Sequence, residues 1–192
     1  MAHNTSIEIM NIHHILSDRW SPVAFSGKAV EQEKLDALFE AARWAPSSFN
    51  AQPWKFMVAP KGGDLYPVLF DLLYDSNKQW AVTAPVLVLS MAEMVPPGRS
   101  AENRFAFHDT GMAVANLLAQ ATASGLLVHQ MGGYDAEGAK KLLNLPVHFE
   151  PAAMMAIGYK GDPSELPADI ASREKKERTR LPHSEFVFTR KF

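Results

Sequence analysis

His108-Asp109-Thr110-Gly111-Met112-Ala113-Val114-Ala115-Asn116-Leu117-Leu118-Ala119-Gln120-Ala121-Thr122-Ala123-Ser124 is the stretch on which the fold turns. Met112, Val114, Leu117 and Leu118 alternate with small residues, so apolar or small positions surround almost the whole helical cylinder. Such a helix is expected to be buried on nearly all sides. Gly125 follows it directly, at the position where a left-handed residue closes a helix. In a chain of 192 residues, burial on all sides is easier if a second subunit covers one face.

Strand signals flank this helix. Val86-Leu87-Val88-Leu89-Ser90-Met91, opened by Pro85, is a continuous apolar run and reads as a buried strand. Residues 126–131 and 152–159 read as further core strands, with a helix over 135–143 between them. Upstream, Leu35, Leu38, Phe39 and Ala42 fall at i, i+3, i+4 and i+7, which predicts an amphipathic helix over 31–44. Its start lacks a good capping residue, and Pro46 closes it. Residues 54–59 read as a short strand and 64–73 as another helix. Near the start, Ile9, Ile12, His13 and Leu16 have helical spacing. Beyond Gly161-Asp162-Pro163 the composition turns polar, 173–180 is charge-rich, and 185–189 alternates like a final strand. The expected architecture is α+β: one domain over 1–192, with an extension from about 161 to 192 long enough to reach a partner.

Composition narrows the function. Apolar residues make up 47% and charged residues 21%, which fits a globular protein and excludes a disordered one. No cysteine is present, so disulfides, thiolate metal sites and cysteine nucleophiles are excluded. A net charge of −2 offers no electrostatic hold on nucleic acid or an acidic membrane. The longest apolar stretch, 84–92, is far short of the ~20 residues of a membrane helix. No secretory pattern opens the chain, so a cytoplasmic address is expected. Gly-rich phosphate loops, metal-ligand spacing and the serine-hydrolase elbow are all missing.

Four segments carry chemical potential. In an extended stretch, Arg178 and Arg180 of Arg178-Thr179-Arg180-Leu181-Pro182 point the same way and present two guanidinium forks to one anion. Arg19 and Ser21 of Arg19-Trp20-Ser21 repeat that i, i+2 spacing and offer a third cation and a hydroxyl. Ala45-Pro46-Ser47-Ser48-Phe49-Asn50-Ala51-Gln52-Pro53-Trp54 reads from Pro46 on as a loop dense in short polar groups suited to the rim of a planar heterocycle. Met131-Gly132-Gly133 follows a strand and lets backbone N–H groups approach a ring closely. Each has an ordinary alternative: solvated charge, turn capping, or a strand-to-helix turn.

Taken in this order, the segments resemble the FMN-dependent nitroreductase family over about 19–182. Asp109-Thr110-Gly111-Met112-Ala113 and Gly125-Leu126 fit the same pattern. The resemblance implies a mostly antiparallel sheet flanked by helices, in an intertwined homodimer with FMN at the subunit interface. Arg19, Arg178 and Arg180 would grip the FMN phosphate, with Trp20 and Ser21 adjacent. Pro46, Ser47, Ser48 and Asn50 would come from the other subunit, Asn77 would meet the pyrimidine edge, and Met131, Gly132 and Gly133 would face flavin N5. NADH or NADPH would then reduce the flavin, and a small-molecule acceptor such as a nitroaromatic or quinone would reoxidise it in ping-pong order. No side chain would act as a catalytic acid or base. Two positions depart from the family pattern: Val23 and Trp80 stand where cations commonly steady the reduced flavin, with Lys78 nearby. Phe105 and Phe107 are candidates for the pocket mouth. The alternatives are a dehalogenase-like or flavin-degrading branch, and a non-catalytic FMN-binding protein.

Overall fold

A computed structural model describes residues 12–191. Four strands, β1 (Trp54–Pro60), β2 (Val86–Glu93), β3 (Leu127–Met131) and β4 (Phe149–Gly158), form an antiparallel sheet in the order β1-β2-β4-β3. Every residue of β2 is buried. Its side chains alternate between two cores: Leu87, Leu89 and Met91 enter one, Val86 and Val88 the other. β4 divides likewise, with Met154 and Ala156 on one face and Met155 and Ile157 on the other. Burial on both faces is why these strands read as unbroken apolar runs.

Helices cover both faces. On one side lie α2 (Gln32–Arg43) and α5 (Ala106–Ala123), which contribute Leu35, Leu38, Ala113 and Leu117. On the other lie α3 (Leu65–Asp71), α4 (Asp75–Ala81) and α6 (Ala136–Leu142), with Leu69, Trp80 and Ala139. Short α1 (His14–Asp18) precedes them and α7 (Ala168–Ala171) follows. Ile9 lies outside the described residues, so its place in the expected first helix does too.

The uncapped start of α2 is secured from elsewhere. Glu31 makes no side-chain cap. It instead accepts the Tyr159 hydroxyl and pairs with Lys28 at 3.0 Å, while Lys34 donates to Tyr159 Oη at 2.8 Å and to the Ser124 carbonyl at 3.2 Å. The close of α5 follows the expected pattern: Gly125 has φ +70° and the Leu126 amide reaches back to the Ala121 carbonyl at 2.8 Å.

Two expectations differ from the structure, and one element is not anticipated. Within one chain α5 is buried along a stripe, not all round; Gly111, Ala115 and Ala123 are exposed and Met112 and Leu118 half-buried. The alternating segment at 185–189 forms no strand among the described residues, because no sheet edge of its own chain receives it; a single turn, His183–Glu185, stands there instead. Finally, α4 carries no expectation at all: its first turns are polar and only Trp80 and Ala81 are buried, too short a pattern for periodicity to register.

A joint near β4 sets the site's position. Phe25 bridges to Lys160, and the Gly161 amide donates to the Ala24 carbonyl at 3.0 Å. A Cβ on Gly161 would meet backbone atoms of Phe25 at 2.4 to 2.8 Å. Gly161→Ala is expected to cost about 1–3 kcal/mol of stability in urea unfolding. Gly27→Ala, in open space, should stay within about 0.5 kcal/mol.

Candidate functional site

Three guanidinium groups gather where the two ends of the chain meet. Arg178, after the turn Ser172–Lys175, donates to the backbone carbonyls of Ser17 and Arg19 at 2.5 and 3.0 Å. Its guanidinium also lies over the Trp20 ring, 5.5 Å from the centroid. Arg19 donates to Ser21 Oγ at 3.0 Å. Burial, then the charges of Arg180 and Arg178, push the Arg19 pKa down. Among the described residues, none of the three arginines forms an ion pair. Like charges held together without a counter-ion make a site that favours an anion. Beside them runs a cleft of about 420 Å³, lined by Asp18, Trp20, Lys160, Glu174 and Arg178 among others.

A second wall continues from the first. His129, on β3, bonds through Nδ1 to the Pro22 carbonyl at 2.6 Å. A carbonyl can only accept, which assigns the proton to Nδ1. The other side of the ring packs on Trp80, centroids 4.4 Å apart, and Trp80 stacks on Phe25 at 6.2 Å. One turn earlier on α4, Asn77 donates Nδ2 to the Gly133 carbonyl at 3.0 Å. The His129–Pro22 bond and the Trp80 packing thus tie the segment after Arg19 to β3 and to α4, the helix that carries Asn77. Burial above all drives the His129 pKa down, aided by Arg173 and Arg19 and opposed by the Pro22 bond and Glu174.

The loop 46–53 stands apart. Phe49, Asn50 and Gln52 all have left-handed backbone, with φ of 51°, 54° and 48°. For a bulky phenylalanine that conformation is costly, by roughly 1–3 kcal/mol. The buried Asp109 of α5 compensates: it accepts the Ser48 amide at 2.9 Å and meets His108 Nδ1 at 3.1 Å. Ser47 Oγ accepts the Gln52 amide at 3.1 Å. The loop thus presents Phe49 at 88% exposure. Among the described residues no hydrogen bond, ion pair or ring contact joins Pro46, Ser47, Ser48 or Asn50 to the arginine cluster.

The Nitroreductase family model matches residues 16–79 and 70–159. The chain belongs to the nitroreductase family. An uncharacterised 15.4 kDa protein from the region 5′ of ask in Mycolicibacterium smegmatis is 32% identical over 143 residues, 70% of this chain and 95% of that protein. A Methanothermobacter thermautotrophicus protein, provisionally named an NADH dehydrogenase/NAD(P)H nitroreductase, is 25% identical over 162 residues, 82% of this chain and 80% of its own. A solved structure described as the oxidoreductase containing FMN superposes with a TM-score of 0.91 at 33% identity, covering 100% of this chain and 98% of that one. The nitroreductase fold is thus shared along the whole chain.

Within this nitroreductase fold, Val23 and Trp80 are core residues, 2% and 0% exposed. Both belong to the apolar cluster that includes Phe25. Sequence reasoning did not single out His129, Asp109 or Glu174 for the site. For His129 a signal existed: it shares the strand face of Leu127 and Met131, where an apolar residue is expected. Glu174 lies in a charged run that reads as solvated surface. Among the described residues, no cluster of side chains suits a metal ion and no helix is long and apolar enough to cross a membrane.

Two outcomes follow from this geometry. Asp109→Ala strips the Ser48 amide of a charged acceptor and should cost about 1.5–3 kcal/mol in urea unfolding, with faster proteolytic nicking of the loop. For His129, a folded-state pKa below the ordinary 6.5 means the unfolded chain binds more protons in the window between the two values. Its contribution is therefore present above about pH 6.5 and lost as the pH falls through that window. Unfolding free energies measured at several pH values should rise with pH more steeply in the parent protein than in His129→Gln.

Proposed function

We propose that this chain is an FMN-dependent NAD(P)H oxidoreductase acting on nitroaromatic, quinone or related acceptors, and that it works as a homodimer. The observation that carries the reading is the cluster of Arg19, Arg178 and Arg180, none of which forms an ion pair among the described residues. A phosphate monoester matches that cluster and the Ser21 hydroxyl. Family membership and the FMN named for the structure at TM-score 0.91 support the same cofactor. The nicotinamide donor rests on the name given to the archaeal relative.

The ring side of the site is compatible with a planar heterocycle. A Cβ on Gly133 would lie 2.8 Å from Asn77 Nδ2, so only glycine leaves this wall flat. Asn77 uses its amide nitrogen on Gly133, which leaves Oδ1 to accept from a ring imide. The chemistry that bound FMN supplies is hydride acceptance from NADH or NADPH and onward delivery of electrons to the acceptor. The protein's own part is to bind and orient: Arg19, Arg178, Arg180 and Ser21 at the phosphate, with Trp20 beside them, and Asn77, Met131, Gly132 and Gly133 at the ring.

A second copy supplies what one chain lacks. The open half of α5, the exposed Trp44 and Phe49, and Phe186, Val187 and Phe188 of the tail are apolar surface a monomer rarely displays together. Covering them with a partner brings Pro46, Ser47, Ser48 and Asn50, which a lone chain keeps away from the arginines, over the flavin.

The purified protein should be yellow, and anaerobic addition of NADH or NADPH should bleach it. Changing both Arg178 and Arg180 to Ala should weaken FMN binding by roughly 10- to 100-fold in fluorescence titrations. Protein that takes up no FMN would refute the reading. Bound FMN that neither nicotinamide reduces would favour an FMN-sequestering role instead.

A further inference from the structure

Arg19 and Ser21 serve an anion only if residues 19–24 keep one shape, and this segment has no helix or strand to shape it. Glu174 supplies the constraint from 154 positions downstream. Its Oε2 accepts the indole N–H of Trp20 at 2.9 Å. Its Oε1 accepts the successive backbone amides of Val23 and Ala24, the latter at 3.1 Å. Four residues further on, Arg178 closes the same segment from the other side through the Ser17 and Arg19 carbonyls and the Trp20 ring.

A carboxylate beside an anion site is at first sight a liability, since like charges repel. On charge alone, neutralising Glu174 should tighten anion binding. The hydrogen bonds argue for the opposite sign. A glutamine would offer a single acceptor oxygen, and its amino group would face an N–H that is itself a donor. We propose that Glu174 is a positioning residue for the anion site: it fixes residues 20–24 so that Arg19 and Ser21 converge with Arg178 and Arg180. The inference rests on the reading that this site takes the FMN phosphate.

Titrations of the apoprotein with FMN and with riboflavin, which lacks the phosphate, separate the possibilities. Glu174→Gln should weaken FMN on the order of tenfold and leave riboflavin unchanged. Glu174→Asp keeps the charge but shortens the reach, and should also weaken FMN selectively. It stands in if Glu174→Gln does not fold. FMN affinity in Glu174→Gln that is equal or tighter, or an equal loss for both ligands, overturns the proposal. Parent protein that binds FMN no better than riboflavin refutes the phosphate reading itself. In that case thermal unfolding with inorganic phosphate decides: a rise in melting temperature that Glu174→Gln diminishes supports the positioning role, and no rise in the parent protein overturns it.

Discussion

Burial of the sheet on both faces is the constraint from which the rest of this structure follows. A strand such as β2, with every residue inside, needs a helical layer above and below. Two cores result, and they share the central strands as a common wall. Such a wall admits few polar groups, and those are satisfied, as Ser90 is by the Ala153 carbonyl, so most polar chemistry collects at the ends of strands and in the segments that cross them. The turn after β3, the stretch before Phe25 and the tail after α7 meet at that border.

What gathers there is a charge imbalance with structural support around it. Arginines at 19, 178 and 180 repel one another, and among the described residues none of them forms an ion pair. Repulsion of this kind is tolerable when the groups are partly solvated and when backbone carbonyls absorb some of the donors, as those of Ser17 and Arg19 do for Arg178. The second wall is held by aromatic packing, with His129 bridging the two through one bond to Pro22. Electrostatics and packing thus act on neighbouring parts of one surface.

Much of this was legible in the residues. The buried run at 86–91, the helix near 31–44 and the glycine stop after α5 all have local causes, and local causes are visible in a string of letters. The spacing of Arg178 and Arg180 suggests a shared direction for the same reason, since two-residue spacing is itself a geometry. The supports were not. Glu174, Asp109 and His129 act on segments 61 to 154 positions away, at distances no periodicity encodes. The open half of α5 shows the opposite limit: a sequence can state that a surface is apolar without stating which chain covers it. The segment at 185–189 has strand-like alternation, but alternation specifies a strand only where an edge exists to pair with.

The stitching of residues 17–24 to residues 174–178 has a consequence for biosynthesis. A ribosome delivers the first of these segments 150 positions before the second. Until residues 174–180 emerge, Arg19 has neither its companions nor the carboxylate that shapes its loop. Capture of an anion by the proposed site would therefore wait for residues 174–180, and a product truncated before them would retain most of the core while lacking that cluster.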